Sequence, residues 1–390
     1  MIILYVIKDF TTELLSIFQY PILLVSFYFF RIFLKDGSGI VIGVTEISKL
    51  LYLYGKVIPS AKKVCLDENR FYDLDYDYKL KRGNKFVFLV KRFIYGPILL
   101  AYLARKSNLF IYLWSTGFLL NRKYDFIFLK SNSKKIVNIF LGDDIRSPKR
   151  LKEVLNNLEQ NGFLNDFGIE NPYYLSDEYD KKKKSLAELS DKYAHVCFSY
   201  PVDQASYLRS TQYPTPYIFS KESFRRSDLK FADKKLKILH APTNSLIKGT
   251  VFVREAIEKL QNNGYDFEYN ELINVPHSIV IKKLQESHIV LNQFYAFIPG
   301  MFGIESMANH CAVLMSADST IEYVMPKSSK DAWMLTRHWE IYDNLKYLFD
   351  HRDEIKGYAD RGYSFVKKNY EEEKVNLYLK KVFKENGIEF

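Results

Sequence analysis

Short apolar runs alternate with amphipathic runs along most of the chain. The runs at 38–45, 62–66 and 110–114 have the length and apolar content of buried strands. Helical spacing separates them, as at 46–56, where apolar positions return every three or four residues. Further strands are predicted at 135–141, 194–199, 236–239, 267–273, 289–291 and 311–315. The alternation predicts an α/β fold with mostly parallel, doubly wound sheets.

The helices of the second half are marked by their own signals. After Thr250 one apolar stripe is formed by Val253, Ala256, Ile257 and Leu260, and Gly264 is a stop signal. Further helices are predicted at 276–286, 302–309 and from Asp331 almost to the end. Two polar or irregular stretches are predicted as a loop (67–85) and as a domain boundary (201–235, with three prolines).

Composition narrows the class of partner. The 390 residues are 47% hydrophobic, as expected for a protein with a large core. They include 30 Tyr and 30 Phe, and aromatic residues in such number also suit a membrane interface. The formal net charge of +10 favours polyanions, either nucleic acid, anionic lipid or phosphorylated ligands. Because the sequence has no RNA-binding fingerprint, zinc-finger spacing or long basic arm, we expect no nucleic-acid partner.

Three cysteines lie far apart in apolar surroundings, at Cys65, Cys197 and Cys311. Free buried thiols are therefore expected, in a reducing, cytoplasmic compartment.

The amino-terminal segment 1–35 contains an uncharged run from Leu14 to Phe30. It lacks the basic start and cleavage site of a secretory signal. The run is shorter than a usual spanning helix, and Pro21 interrupts it. Three alternatives stay open: a membrane-interface anchor, a spanning helix, or a helix packed on the protein.

Two other basic segments have competing interpretations. Residues 86–106 interleave lysine and arginine with aromatic and aliphatic residues. This helix either binds an anionic membrane surface or packs on a sheet with its basic residues outside. The lysine run 181–184 is interpreted as a solvated face.

Two glycine-containing loops, each between a predicted strand and a predicted helix, contain candidate functional residues. Lys248-Gly249 follows a predicted strand and precedes a helix, where backbone N–H groups and an ammonium favour phosphate. In the stretch 299–305 (PGMFGIE), Gly300 and Gly303 allow close backbone approach, and Glu305 in the first helical turn could accept hydrogen bonds from ribose hydroxyls. The alternatives are a solvated lysine and an acidic residue that complements the helix dipole.

Both loops are predicted to lie at the carboxyl ends of strands in one sheet, which is where open α/β sheets bind ligands. The sequence contains neither a Walker A motif nor G-x-G-x-x-G. An enzyme acting on a phosphorylated small molecule is indicated, but a P-loop NTPase or a typical dehydrogenase is not.

A family resemblance is carried by HAPTN…KGT, IVLNQ and GMFGIESMA in the second half, by FLGDDIRSP in the first, and by the tail YADRGYSFVKKNYEEEKV. These segments resemble GT-B glycosyltransferases of family 4, or "group 1", over about 38 to 383. The resemblance implies two Rossmann-like domains facing a cleft. They would be an acceptor domain (36–215) and a nucleotide-sugar donor domain (216–350), with closing helices (351–390).

The resemblance also implies roles. Lys248 would contact the donor diphosphate, Glu305 would hold the ribose, and the Gly300–Gly303 backbone, including Met301 and Phe302, would face the phosphates. A retaining transfer from a nucleotide sugar to a glycan or lipid-linked acceptor is expected, in surface polysaccharide biosynthesis. No metal or other cofactor is expected for donor binding.

The chain departs from the family pattern at several positions. Phe297 stands where the first of two glutamates is usual, and Thr243 stands where an arginine is usual. His240, Asn244 and Gly249 complete the candidate donor set, and Asn292-Gln293 replaces a common Asp-Gln.

In the first half, a histidine often found before Gly142 is absent. Asp143 is a candidate catalytic group there, with Gly142, Asp144 and Arg146 as acceptor or cleft residues. The alternative for this loop is a turn held by a local ion pair.

Three functions are compatible with these observations. The first is a hexosyltransferase on the inner face of a membrane. The second is a non-catalytic nucleotide-sugar or glycan-binding subunit of a membrane assembly, which the departures at Phe297 and Thr243 favour. The third is a nucleotide-sugar epimerase of the same fold.

Overall fold

A computed structural model describes residues 2–67, 74–81, 83–157 and 172–389, without the side chains of residues 2–10, 85 and 247. The chain forms two compact α/β units. Unit 1 consists of Met1–Leu151, Pro172–Ile218 and Asn376–Phe390, and unit 2 of Lys152–Asn171 and Phe219–Val375. The change from one unit to the other after Ile218 falls inside the irregular stretch 201–235.

Unit 1 contains a seven-stranded parallel sheet of order β3-β2-β1-β4-β5-β6-β7. Its strands are β1 Gly39–Thr45, β2 Ala61–Asp67, β3 Tyr78–Lys79, β4 Ser107–Leu113, β5 Lys135–Ile139, β6 Val196–Phe198 and β7 Gln212–Tyr213. The strand order reverses between β1 and β4, so the sheet has a topological switch point at their carboxyl ends. β3 lies in the stretch 67–85 that was predicted as a loop, of which 68–73 and 82 lie outside the described residues.

The helices of unit 1 cover both faces of this sheet. They are α1 Ile2–Phe33, α2 Leu50–Val57, α3 Lys85–Lys106, α4 Arg122–Ser131 and α6 Asp177–Tyr193, while α5 Pro148–Asn157 begins in unit 1 and continues into unit 2 after Leu151. The carboxyl-terminal half of α3 packs into the same core as Val41 and Phe110. The predicted apolar helix at the amino terminus is confirmed as the long helix α1.

Unit 2 contains a five-stranded parallel sheet of order β12-β11-β10-β8-β9. Its strands are β8 Leu236–His240, β9 Phe267–Glu271, β10 Ile289–Leu291, β11 Ala312–Met315 and β12 Met334–Leu335. Its helices are α7 Ser245–Lys248, α8 Thr250–Asn262, α9 His277–Glu286, α10 Gly300–Ala308, α11 Ile341–Asp350 and α12 Arg352–Tyr370, and α13 Glu372–Glu385 crosses back to unit 1. The stripe predicted on α8 is buried in the core of this unit.

Two predicted helix bounds in unit 2 are wrong. The segment after Asp331 is not helical throughout, because β12 pairs with β11 before α11 begins. Helix α10 begins at Gly300, two residues before its predicted start, so Glu305 lies in the second turn and not the first. Gly300 adopts a φ of 65°, which lets the helix begin directly at the turn.

Candidate functional site

The switch point of the second sheet lies between β8 and β10. These strands are neighbours, and the chain continues from β8 to β9 on one side but from β10 to β11 on the other. Their last residues, His240 and Leu291, pair in register. The segments 241–249 and 292–300 therefore leave the sheet side by side, at the place where open α/β sheets bind ligands.

Lys248 ends a single helical turn between β8 and α8. Its backbone N–H donates to the carbonyl of Asn244 at 3.1 Å. Gly249 follows with a φ of 68° as the residue that caps the start of α8, and a Cβ there would lie 3.3 Å from Phe294. The structure thus has a helical turn where the sequence predicts an open loop.

The Lys248 ammonium donates to the side-chain oxygen of Gln293 at 2.6 Å and, more weakly, to that of Asn292 at 3.4 Å. Among the residues that the structure describes, no carboxylate forms an ion pair with it. Burial lowers the pKa of Lys248 to about 8. The ammonium is therefore held by neutral amides, and its positive charge is available to an anionic ligand.

The two amides connect Lys248 to the glycine turn. Asn292 Nδ2 donates to the carbonyl of Pro299 at 2.8 Å, and Gln293 Nε2 donates to that of Ile298 at 2.6 Å. An ammonium can only donate, so it fixes each amide oxygen toward Lys248 and each NH₂ toward the turn. Residues separated by about fifty positions in the chain are thereby joined in one polar cluster.

Close packing at Gly303 completes this connection. A Cβ at that position would lie 2.6 Å from Asn292 Nδ2 and 3.3 Å from Met315 Sδ. Met301 and Phe302, both half-buried, occupy the same first turn of α10. The amino-terminal end of α10 therefore lies against the amides that hold Lys248, and its free N–H groups favour negative charge.

Glu305 is the second candidate contact for a nucleotide. Its side chain is 15% exposed, and its carboxylate contacts His277 Nε2 at 2.8 Å. His277 is the first residue of α9, and its side chain is 49% exposed. The sequence reasoning did not single out His277, although its position after Pro276 at a helix start was a usable signal.

His240 faces the interior. Its Nδ1 lies 2.7 Å from the carbonyl of Leu291 and its Nε2 lies 2.9 Å from the Thr250 hydroxyl. Since a carbonyl only accepts, Nδ1 carries the proton and Nε2 accepts from Thr250. Burial lowers the pKa of His240 to about 4, so the ring is neutral and ties β8 to β10 and α8.

The other predicted donor contacts are dispersed. Thr243 is exposed and Asn244 is half-buried. Phe297, which stands at the position of a family glutamate, is buried in the core. The structure therefore joins Lys248 with Gly300 and Gly303 through the two amides, and it leaves Thr243 at the surface.

In unit 1 the predicted acceptor loop follows β5. The buried carboxylate of Asp144 accepts from the backbone N–H groups of Leu141 and Gly142, at 3.1 and 2.8 Å, and burial raises the pKa of Asp144 to about 6. Arg146 pairs with Asp143 and, at 2.7 Å, with Asp203. Asp144 and Arg146 thus fix the shape of the turn, whereas Asp143 is 43% exposed.

The interpretation of the lysine run as a solvated face is wrong for one member. Lys183 Nζ donates to the backbone carbonyls of Asp143 and Asp144, and burial lowers the pKa of Lys183 to about 8. The lysine therefore closes the loop after β5 from the side of α6.

The switch point of the first sheet contains polar groups that the sequence reasoning missed. The hydroxyl of Thr45, the last residue of β1, contacts that of Thr116, which follows β4. Glu46 is 2% exposed, and burial raises its pKa, although Tyr76 OH donates to it at 2.7 Å. A carboxylate directly after a buried strand was the available signal.

One carboxylate and histidine group has the spacing of a metal site. Asp228, His310 and Asp360 lie close enough together to hold a cation. However, Lys356 contacts both carboxylates, at 3.0 and 2.7 Å, and Arg226 contacts Asp360 at 2.6 Å. Since two cations already neutralise these acids, we interpret the group as an ion-pair network.

Solved structures with two such α/β units resemble this chain. HepE from Anabaena in complex with UDP aligns with a TM-score of 0.57 at 9% identity, over 89% of this chain and 100% of that one. The chain has the GT-B fold. Sucrose-phosphate synthase from Thermosynechococcus elongatus matches this GT-B chain with a TM-score of 0.50 at 12% identity, over 82% of each chain.

An alpha-glucosyltransferase in complex with UDP and a mismatched DNA 13-mer aligns with a TM-score of 0.51 at 11% identity, over 89% of this chain and 99% of that one. At identities this low, the structural similarity shows only that the chain has the GT-B fold. No protein-family model matches the sequence, and no curated protein matches it. Membership of family 4 stays a prediction.

Proposed function

We propose that this GT-B protein is a glycosyltransferase that moves a sugar from a nucleotide-sugar donor to a glycan or lipid-linked acceptor. The observation that carries the proposal is Lys248, a half-buried lysine whose ammonium is held by two amides at the switch point of the second sheet. The amides connect it to the amino-terminal end of α10. UDP is bound in the HepE and alpha-glucosyltransferase structures and UDP-glucose in a second HepE structure, which supports a nucleotide-sugar donor.

Lys248 and the N–H groups at Gly300–Gly303 would stabilise the diphosphate as it leaves the sugar. Fixed charges and dipoles directed at developing negative charge are usually the largest catalytic contribution. Because the amides already hold Lys248 in place, little reorganisation is needed when the diphosphate forms. This arrangement is compatible with donor binding without a metal.

Glu305 would accept hydrogen bonds from the ribose hydroxyls. Its present partner, His277, is half exposed, so a nucleotide can compete for the carboxylate. The retaining outcome, the hexosyl donor and a role in surface polysaccharide biosynthesis belong to this proposal. Asp143 is its candidate catalytic group in unit 1, since part of that carboxylate reaches solvent.

A second candidate is a non-catalytic subunit that binds a nucleotide sugar or glycan. It is favoured by Phe297, which is 1% exposed and supplies no carboxylate where the family usually has one. Donor binding without transfer to any acceptor in a broad panel would support it. Conversion of the donor sugar in the absence of acceptor would instead indicate an epimerase.

The test is nucleotide release from a panel of nucleotide sugars, with membrane extract as the source of acceptor. Lys248→Ala and Glu305→Ala should each abolish most of the release. Lys235→Ala is the matched control, because this lysine is 53% exposed and pairs only with Asp266 among the described residues. If both site variants keep the turnover of the control, the site assignment is wrong.

The proposed location is cytoplasmic, peripheral on the inner face of a membrane. Three cysteines without disulfides, all buried, suit a reducing compartment. Two helices, Thr11–Phe33 and Phe86–Lys106, are long and apolar enough to cross a membrane by length and composition. A fractionation experiment on cells that produce the full chain tests this location.

A further inference from the structure

The exposed apolar side chains of the protein are concentrated on α1 and α3. Of the 24 large hydrophobic side chains that are exposed in the described part of the chain, nine lie on α1 and five on α3. Val25, Ile32 and Phe86 are among the most exposed, at 71, 75 and 75%. Concentrations of this kind mark interaction surfaces, whereas single exposed apolar residues do not.

Two polar residues of α1 point toward the interior of unit 1. Ser16 and Gln19 are fully buried. Gln19 donates to the carbonyl of Phe93 and accepts from the N–H of Leu120, both at 2.8 Å, and Ser16 accepts from the N–H of Asn121 at 2.8 Å. A helix on the surface of a soluble protein turns its polar side to water, but α1 buries Ser16 and Gln19 while nine of its large apolar side chains are exposed.

The two helices are parallel and form one surface. Gln19 contacts α3 at Phe93, the rings of Phe30 and Tyr102 are 5.6 Å apart, and the guanidinium of Arg105 donates to the carbonyl of Leu34. These contacts advance together along both helices. The exposed residues between Leu14 and Phe33 of α1 and between Phe86 and Ile94 of α3 therefore belong to one surface, here called the two-helix surface.

The charges on α3 indicate what covers the two-helix surface. The segment Lys85–Lys106 contains five basic residues and no acidic residue. Arg92 and Arg105 are buried and donate to backbone carbonyls, so only the remaining lysines can face lipid. Lys91 is exposed among the apolar residues of its amino-terminal half, and Arg31 is exposed near the end of α1. Apolar side chains beside basic ones match the interface of a bilayer that contains anionic lipid.

Neither helix is free to cross the bilayer. The carboxyl-terminal half of α3 packs into the core of unit 1, where Leu100 and Ala104 are fully buried. Helix α1 is held to α3 and to the segment 120–121 by Ser16 and Gln19, which would lose their partners in a spanning arrangement. Insertion from one side keeps all of these contacts.

We infer that the two-helix surface inserts into one leaflet of an anionic membrane and holds unit 1 against it without spanning. The segment 114–121 connects this surface to the switch point of the first sheet: Leu120 and Asn121 contact α1, and Thr116 contacts Thr45. An amphiphilic acceptor entering from the membrane would thus meet a loop that the inserted helices themselves hold. Only this last consequence rests on the proposed function.

The test labels single introduced cysteines with an environment-sensitive dye in the full chain, since the native thiols are buried. The variants are Val25→Cys and Phe86→Cys, with Leu229→Cys as control because Leu229 is 85% exposed in unit 2. Vesicles of phosphatidylcholine and phosphatidylglycerol should shift the emission to the blue at 25 and 86 but not at 229. Nitroxide lipids labelled near the headgroup should quench more strongly than those labelled at the chain end.

Three results would overturn the inference: no shift with vesicles, stronger quenching from the chain end, or the same shift without vesicles as protein concentration rises. The last would mean that a second copy covers the surface. As an independent measurement, Val25→Asp with Phe86→Asp should weaken vesicle binding about tenfold or more, whereas Leu229→Asp should not. Donor binding by unit 2 should be unchanged in all these variants, so failure of the transferase proposal would be recognised separately.

Discussion

The pKa of Lys248 predicts how donor binding depends on pH. Burial lowers this pKa to about 8, and the protonated ammonium is the form that attracts a diphosphate. The last phosphate ionisation of a nucleotide lies near pH 6, so above about pH 7 the charge of the diphosphate is constant. As pH rises through 8 the free protein loses the proton that binding requires. The dissociation constant should then increase by up to about tenfold per pH unit.

Lys248→Arg separates this effect from other titrations. A guanidinium stays charged throughout the range, so the affinity of this variant should be nearly independent of pH above about 7. Lys248→Met removes the charge, and loss of a charge-assisted hydrogen bond of about 1.5–3 kcal/mol predicts roughly 10- to 150-fold weaker binding.

The assay is isothermal titration of UDP at pH values from about 7 to 9, in buffers of different ionisation enthalpy, which also counts the protons taken up. Above about pH 8 the wild-type protein should take up a proton on binding, and Lys248→Arg should not. A wild-type affinity that does not change with pH, or an equal slope in Lys248→Arg, would refute the reasoning. Lys248→Met should unfold at the same or a higher temperature than wild type at neutral pH, because it removes a desolvated charge.

Three further predictions concern stability. Gly303→Ala should destabilise unit 2 by about 1–3 kcal/mol in denaturant titrations, because its methyl group meets Asn292 at 2.6 Å, whereas Gly357→Ala, in the interior of α12, should be neutral or stabilising. Gln19→Leu should lower the stability of unit 1 by about 1–3 kcal/mol, since two partly buried backbone groups lose their partner. An unchanged denaturation midpoint would contradict the role of Gln19 in holding α1 to unit 1. His240 is neutral in the folded protein but protonated in the unfolded chain between about pH 4 and 6.5, so stability should fall with falling pH in that window by up to about 1.4 kcal/mol per unit; His240→Gln should remove that part of the slope.

The sequence predicted the local elements of the fold well, because each leaves a periodic pattern. The strands at 236–239 and 289–291 and the stripe of α8 follow from spacing alone, since a buried strand or helix face must be apolar at fixed intervals. Lys248 and the glycine turn were located by similar means, as polar and flexible residues at strand ends. The start of α10 was missed because Gly300 begins the helix with a positive φ, a conformation that helix signals in sequence do not include.

The tertiary structure decided what each candidate contacts. The sequence could not reveal that Asn292 and Gln293 join Lys248 to the turn before α10, or that His277 holds Glu305. Lys183 belongs to a run that resembles a solvated face, yet it closes the loop after β5. Such contacts join residues far apart in the chain, and strand order and helix packing determine them, whereas local composition does not.

The amino-terminal helix shows the same division. Its apolar run was evident in the sequence, but three arrangements were compatible with it: on a membrane, across a membrane or packed on the protein. The inward direction of Ser16 and Gln19 appeared only in the structure. By itself the sequence determined which segments are helical or extended and where charge and apolar surface lie along the chain. Only tertiary packing decided which side of each segment is covered, because burial depends on neighbours that the chain supplies from distant positions.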